Sequence, residues 1–265
     1  MDLDTSKIIE DIKQNGFYIA KSLIPLESFT LARKEAMQFF AESNLKNKNL
    51  PNALRGGVKA GMIDNYGYSS NKSWKIFRLC AFPWNRPLTQ LENTINLSRK
   101  VSKLRNRIIG IDQDYGSYIE NDNYIQYTSL SLYPAQGGFL NKHKDTHNIE
   151  DEIPMIHFKI ELTLKNKDYK EGGFTLWDRN NKEISISDLI EPGDVLFFDG
   201  SLSHEIKTIS GEIGRIALFE IPTYVDKNFR DLEYLGDGVE FSFQERLKRK
   251  LISFINKFIN KLKDY

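Results

Sequence analysis

The chain has 265 residues, of which 40% are hydrophobic and 12% aromatic, a composition that is typical of a folded protein and excludes an intrinsically disordered one. The formal net charge is +1, so overall charge gives no reason to expect nucleic acid as a partner. Cys80 is the only cysteine, which excludes a disulfide within the chain and fits a reducing compartment. The first residues lack the features of a signal peptide, and no run of about 18 apolar residues occurs. We therefore expect a cytoplasmic protein.

The first 57 residues predict two helices with a short strand between them. Thr5 or Ser6 can cap a helix over residues 5–15, which Gly16 ends. Residues 17–20 favour a strand, and Pro25 precedes a second helix that continues to residue 41. Residues 44–57 are polar and are predicted to form a loop.

Residues 58–86 combine many aromatic side chains with glycine and proline, and they allow two interpretations. The segment is either a lid or wall of a binding cleft, or an irregular stretch whose aromatic side chains fill the core. In the first case Arg55, Arg78 and Trp84 are candidate substrate-binding residues. The two arginines could hold an anionic or zwitterionic metabolite. A longer helix with one apolar face is predicted from residue 88 to residue 108.

The pattern changes at residue 124 to the period of two that is typical of strands. Leu130 and Leu132 alternate with small or polar residues, and residues 155–164 repeat the alternation. Further short strands are predicted at residues 173–177, 184–186, 195–198 and 215–221. Short strands separated by glycine and proline favour an antiparallel sandwich or jelly roll, with the preceding helices covering one sheet.

We therefore predict an α+β, mainly β fold in a single domain over residues 1–265. Residues 1–123 would form helical support and a lid, residues 124–222 the β core, and residues 223–265 an extension. The extension contains an amphipathic helix at residues 244–263, with an apolar stripe and a basic face. Two interpretations stay open: the helix packs on the core or on a second copy in a homodimer, or it lies on a membrane surface.

The four histidines of the chain are the candidates for metal binding. His143 and Asp145 are two residues apart, so in an extended strand their side chains point to the same side. Two histidines and one carboxylate on one face of an octahedral ion leave positions open and suit non-haem Fe(II). His204 is the expected second histidine, because it also lies at a predicted strand end. We expect His157 to be a hydrogen-bonded structural residue and His147 to lie in the polar loop that follows.

Five sequence elements then occur in order: Tyr133-Pro, Gly138 with His143-x-Asp145, Gly172-Gly173, Pro192-Gly-Asp-x-Leu-x-Phe with His204, and Gly-Arg215. This ordered set resembles the Fe(II)- and 2-oxoglutarate-dependent dioxygenases. The resemblance spans roughly residues 124–222. The Tyr-Pro element is similar to that of the prolyl-hydroxylase-like branch, and the small-molecule hydroxylases of the phytanoyl-CoA-dioxygenase type are a further similar group.

The resemblance implies a double-stranded β-helix, a cupin-like jelly roll, that holds Fe(II) on His143, Asp145 and His204. It implies 2-oxoglutarate and O2 as co-substrates, with the distal carboxylate of 2-oxoglutarate on Arg215. The planar fork of an arginine can bind a carboxylate through two hydrogen bonds. Such a buried arginine needs an acidic partner, which a bound anion would supply.

One position departs from the family pattern. Many relatives carry serine or threonine two residues after the arginine as a second carboxylate donor, whereas this chain has Ala217. We therefore expect Tyr133 or Thr163 to donate in its place.

The reaction implied by the resemblance is oxidation of a C–H bond of a small-molecule or biosynthetic substrate, by hydroxylation or desaturation, with release of succinate and CO2. Asp145 stands where halogenating relatives carry a small residue, so halogenation is not favoured. Two alternatives remain: a non-catalytic metal-binding or sensor barrel, and a hydrolase that uses Zn2+ on the same ligands. Neither needs an anion site beside the metal, so Arg215 and Tyr133 discriminate against both. The sequence does not identify the substrate.

Overall fold

The computed structural model describes residues 4–42, 62–68, 74–81, 89–115, 124–145 and 156–224. The helices of this part are α1 (Thr5–Asn15), α2 (Leu26–Glu42) and α3 (Glu92–Ile108), with short 3-10 turns at Thr89–Leu91 and Ile186–Asp188. Within these described ranges, none of the helices has the length and apolar character that crossing a membrane requires. The predicted loop 44–57 and the predicted helix 244–263 lie outside the described residues.

The strands are β1 (Phe17–Ala20), β2 (Met62–Tyr68), β3 (Trp74–Ala81), β4 (Tyr124–Tyr133), β5 (Phe139–His143), β6 (Ile156–Glu161), β7 (Tyr169–Trp177), β8 (Glu183–Ser185), β9 (Val195–Asp199), β10 (His204–Gly211) and β11 (Arg215–Tyr224). In the described part of the chain they form one 11-stranded sheet in the order β1-β9-β6-β11-β4-β3-β5-β10-β7-β8, with β2 on β3. All neighbouring strands are antiparallel.

The sheet curls until its two halves face each other. The major half contains β1, β9, β6, β11, β4 and β3, and the minor half contains β5, β10, β7 and β8. Lys159 of β6 and Phe174 of β7 belong to strands that are far apart in this order, yet the Lys159 Nζ lies 3.3 Å from the centroid of the Phe174 ring. The fold is therefore the predicted mainly β jelly roll.

The helices pack on the outer face of the major half. Helix α3 contacts β4, β6 and β11, and Ile156, Phe158 and Ile160 point outward from β6 into the apolar layer beneath the helices. A second apolar layer, which includes Phe174, fills the space between the two halves. Strand β6 thus separates an outer core from an inner one.

The N-terminal helix has the predicted bounds, but its N-cap is the residue before the predicted candidates. The Asp4 carboxylate accepts a hydrogen bond of 3.1 Å from the backbone N–H of Lys7, so Asp4 rather than Thr5 or Ser6 is the N-cap. An aspartate at this position is also favoured by the positive end of the helix dipole. Gly16 ends the helix with a φ of 87°, as the sequence predicted.

Two stretches of the sheet differ from the sequence predictions. Residues 58–86 were interpreted either as a lid or cleft wall or as an irregular stretch, and no strand was predicted there. They contain the paired strands β2 and β3, and β3 also pairs with β4 and β5. Ile76 and Leu79 of β3 are buried, which gives this strand an apolar anchor. Strand β10 was not predicted, because register shifts after His204 and after Lys207 interrupt its alternation.

Candidate active site

His143, Asp145 and His204 lie together at one end of the jelly roll. His143 is the last residue of β5, His204 is the first residue of β10, and the two are directly paired across these strands. Asp145 follows β5, and its backbone N–H donates to the Gly200 carbonyl at 3.0 Å. One ligand atom of each of the three side chains lies within 4.8 Å of the others. The structure thus brings together the three residues that the motif predicted as metal ligands.

The orientation of both histidines suits metal binding. The Nδ1 of His143 lies 2.8 Å from the Asn141 carbonyl, and the Nδ1 of His204 lies 2.9 Å from the Leu202 carbonyl. A carbonyl oxygen only accepts, so each Nδ1 carries the hydrogen and each neutral ring turns the lone pair of Nε2 inward. These Nε2 atoms lie 3.7 Å and 3.5 Å from the Asp145 carboxylate. Two nitrogen lone pairs and one carboxylate that converge in this way fit a divalent cation.

The protonation states agree with this interpretation. Burial alone would raise the pKa of Asp145, but its contacts with His157 and His204 hold the pKa well below the usual range. Burial lowers the pKa of His143, and the neighbouring His204 lowers it further. At neutral pH the site therefore offers an ionised carboxylate and a neutral imidazole, the forms that bind metal.

Behind these residues, β6 lines the interior with ionisable side chains. His157, Lys159 and Glu161 alternate with the outward-facing apolar residues of the strand, so all three point inward. Their exposed fractions are only 0%, 7% and 3%, because β6 is a central strand and the minor half covers its inner face. From the sequence, His157 was expected to be structural, and Lys159 and Glu161 were not among the predicted site residues. The signal that could have found them is the spacing of three ionisable residues at alternate positions.

Arg215 is a fully buried residue with two unused hydrogen-bond donors. It is the first residue of β11 and donates through Nη2 to the Oε1 of Glu161. It is paired in register with Tyr133, and its guanidinium carbon lies 5.2 Å from the centroid of the Tyr133 ring. The Nε and Nη1 of Arg215 have no hydrogen-bond partner among the described residues. Because buried polar groups are normally paired, these two donors fit a bound carboxylate.

Lys159 is a second basic group close to Arg215. Burial lowers the pKa of Lys159 well below its usual value, and the charge of Arg215 lowers it further. Burial alone would lower the pKa of Arg215 too, but the Glu161 carboxylate more than offsets this effect and raises it. Two basic groups therefore lie beside one acidic group, and a further carboxylate nearby would favour the protonated form of Lys159.

The remaining predicted site residues are placed differently. The Oγ1 of Thr163 accepts a hydrogen bond of 2.6 Å from the backbone N–H of Ile216 at the start of β11. Its hydroxyl hydrogen is still available to donate, so the predicted role of Thr163 at the co-substrate stays a prediction. The backbone of Arg78 lies in β3, while its side chain is outside the described part of the structure. Arg55, Trp84 and His147 also lie outside the described residues.

Comparisons with known proteins agree on the fold. No family model matches the chain, and no curated protein matches it in sequence. A prolyl-4-hydroxylase from Pseudomonas putida matches with a TM-score of 0.55 and 16% identity, over 84% of this chain and 100% of that chain. A prolyl hydroxylase from Trichoplax adhaerens, in complex with a peptide fragment of hypoxia inducible factor, matches with a TM-score of 0.54 and 19% identity, over 86% and 91%.

A third match extends the range of reactions found on this fold. The non-haem α-ketoglutarate-dependent epimerase SnoN from nogalamycin biosynthesis matches with a TM-score of 0.55 and 10% identity, over 89% of each chain. At such low identities the matches concern the fold alone. The chain therefore has the double-stranded β-helix fold of the Fe(II)- and 2-oxoglutarate-dependent oxygenases, as its motifs indicated.

Proposed function

We propose that this chain is an Fe(II)- and 2-oxoglutarate-dependent oxygenase that oxidises a C–H bond of a small-molecule substrate. The observation that carries the proposal is the triad of His143, Asp145 and His204 beside a buried arginine with unused donors. The triad alone would suit several metals and several functions. The buried Arg215, with Lys159 close to it, favours a keto acid with a distal carboxylate as co-substrate. We call this proposed carboxylate site the anion pocket.

Each part of the site has an assigned role in this proposal. His143, Asp145 and His204 would hold Fe(II), and Arg215 with Lys159 would hold the distal carboxylate of 2-oxoglutarate, with Tyr133 as a further candidate donor. When bound, iron and 2-oxoglutarate supply the activation of O2, with succinate and CO2 as co-products. The protein itself supplies ligand geometry, orientation and a dry pocket.

Aromatic side chains limit the access of water to this site. The rings of Phe174 and Phe198 are fully buried and lie with their centroids 5.8 Å and 5.4 Å from that of His204. The side chain of His143, in contrast, is 34% exposed. The substrate would therefore approach the metal from the side of His143, while the co-substrate carboxylate lies in the interior. Arg55, Arg78 and Trp84 stay proposed substrate contacts.

The reaction type is proposed as hydroxylation or a related oxidation. Two proteins with this fold are prolyl hydroxylases and a third is an epimerase, so the fold by itself does not select one outcome. The presence of Asp145 supports a reaction other than halogenation.

The proposal is tested by binding first and turnover second. We expect the Fe(II)-loaded protein, without O2, to bind 2-oxoglutarate in calorimetry, and to release succinate when O2 and a suitable substrate are present. Asp145→Ala should abolish both metal binding and succinate release. Asp199→Asn is a matched control, because Asp199 bonds to Ser201 and Arg179 in a nearby turn and not to the triad.

The possible outcomes separate the competing functions. Metal binding without any 2-oxoglutarate binding would favour the sensor barrel or the Zn2+ hydrolase and would contradict the proposal. Binding of 2-oxoglutarate that does not depend on Arg215 would contradict the assignment of the anion pocket.

A further inference from the structure

We propose that His157 is a positioning residue that donates its Nε2–H to the Asp145 carboxylate from the interior and thereby holds this carboxylate in place for the metal. The inference rests on the proposed metal centre and adds a fourth residue to it. His157 would touch Asp145 and not the metal itself.

The distances place His157 closest to the carboxylate. Its Nε2 lies 3.1 Å from the Oδ2 of Asp145, within hydrogen-bond distance, whereas the Nε2 of His204 lies 3.5 Å from the same oxygen. The side chain of His157 is 0% exposed, compared with 26% for Asp145 and 34% for His143. His157 therefore lies on the buried side of Asp145, and the mouth of the barrel lies on the other side.

The ring of His157 is held firmly in this place. It belongs to the central strand β6 and is paired in register with Phe198 of β9. The rings of Phe198 and Phe219 each pack against it, with centroids 5.2 Å from that of His157. A ring that is packed in this way can restrain a neighbouring group, because it cannot turn away without disturbing the inner core.

The chemistry of the contact makes His157 a donor. An ionised carboxylate only accepts hydrogen bonds, so we assign a hydrogen to the ring nitrogen that faces it at 3.1 Å, a distance that allows the bond although the N–H direction in this structure departs from that of a full hydrogen bond. That nitrogen then has no lone pair for a metal. In agreement, the group of mutually close ligand atoms found in the described part of the chain contains His143, Asp145 and His204 but not His157.

Asp145 is the ligand that most needs such support. It lies beyond the end of β5, so strand pairing does not fix its backbone, and its described backbone contact is the single bond to Gly200. A carboxylate free to rotate would lose entropy on binding metal. Outer contacts that orient metal ligands are worth about 10- to 100-fold in metal affinity.

The test measures the affinity for Mn2+ or Co2+ in the full-length protein, without turnover. His157→Leu removes the donor and leaves an apolar side chain among the phenylalanines, and we expect metal affinity to fall about 10- to 100-fold. His157→Gln keeps an N–H donor at a similar reach, and we expect it to recover most of that loss. Phe219→Leu separates the two contributions, because it loosens packing on the ring but keeps the donor, and it should cost less metal affinity than His157→Leu.

Two results would overturn the proposal: unchanged affinity in His157→Leu, or equal losses in His157→Leu and His157→Gln, which would point to packing. If the wild-type protein binds no metal, the proposed function fails and the inference fails with it. If the wild-type and His157→Leu proteins bind metal with equal affinity, the inference alone fails and the proposed function stands.

A second measurement needs no variant and decides the matter if His157→Leu does not fold. Nitrogen NMR of histidine-labelled wild-type protein distinguishes the two neutral ring tautomers. We expect the hydrogen of His157 on Nε2, and a hydrogen on Nδ1 alone would overturn the proposal.

Discussion

Two buried arginine–glutamate pairs lie on opposite faces of the same strand, β11. In the outer pair, Arg105 of α3 donates to Glu220 of β11 at 2.9 Å. In the inner pair, Arg215 of β11 donates to Glu161 of β6. All four residues are buried, yet their surroundings differ: the outer pair joins a helix to the sheet, while the inner pair lies beside Lys159 and keeps two arginine donors without a partner among the described residues.

The difference shows what makes a buried ion pair functional. The outer pair connects two layers, and burial raises the pKa of Glu220 to about 7 in spite of Arg105. The inner pair has a second basic group beside it, Lys159, which the outer pair lacks among the described residues, and two arginine nitrogens without a hydrogen bond, compared with one in the outer pair. We therefore interpret the outer pair as structural and the inner pair as a binding site that an anion completes.

Removal of each arginine should give the largest effects and should separate the two roles. We expect Arg215→Met and Arg105→Met each to lower the free energy of unfolding by about 3–5 kcal/mol, because each leaves a buried glutamate without its cation. Only Arg215→Met should also weaken 2-oxoglutarate binding, by at least about 30-fold, the equivalent of 2 kcal/mol. Urea unfolding and calorimetry measure the two quantities.

The matching double variants sharpen this test. Replacement of both partners by methionine should restore most of the stability in either pair, since no charge is then left buried alone. In the inner pair it should not restore 2-oxoglutarate binding. A comparable loss of 2-oxoglutarate affinity in Arg105→Met would contradict the division of roles.

The outer pair should also make stability depend on pH. The folded-state pKa of Glu220, about 7, lies above its ordinary value of 4.5, so between these values the folded state keeps a proton that the unfolded state releases. The stabilisation of the folded state by this proton is fully present below pH 4.5 and is lost as the pH rises through 7. Relative to Glu220→Gln, the wild-type protein should lose up to about 3 kcal/mol of unfolding free energy between pH 5 and pH 8. Parallel stability curves for the two proteins would contradict this assignment.

The smallest predicted effect concerns the inner glutamate. Glu161→Gln removes a negative charge from the pocket in which the co-substrate carboxylate would bind. We expect 2-oxoglutarate to bind about three- to tenfold more tightly, the equivalent of about 1 kcal/mol, in calorimetry with the metal-loaded protein. Glu171→Gln is the control, because Glu171 is an exposed residue of β7 that bonds to Ser210. Weaker binding in Glu161→Gln would show that Glu161 instead orients Arg215.

The candidate metal triad could be predicted from sequence because two of its members are close in the chain and the third lies in a recognisable motif. His143 and Asp145 are two residues apart, and the turn residues before His204 mark the end of a strand. Lys159 and Glu161 could not be assigned in the same way. A strand in which charged and apolar residues alternate is equally typical of a sheet with one face in water. Only the curl of the sheet, which brings Phe174 of β7 over Lys159, shows that the charged face is buried.

The unpredicted strands have local causes. In β10 the register shifts after His204 remove the regular alternation that predicts a strand. The segment that contains β2 and β3 is rich in glycine and aromatic residues and shows no regular alternation. Strand β3 also pairs with β4 and β5, which are distant in the sequence, so a local pattern does not predict it. The predicted single domain and the role of residues 244–263 stay predictions.

The pairing of His143 with His204 means that the proposed metal site forms only when β5 and β10 of the minor half pair correctly. The two histidines are cross-strand neighbours with ring centroids 4.3 Å apart, and a register shift follows His204 at once. A slip of β10 by one residue would turn His204 to the opposite face of the sheet. If the site binds metal as we propose, only chains with the correct strand register would retain the ion, and metal retention would then report correct folding. Selection of metal-loaded molecules during purification would enrich the correctly assembled population.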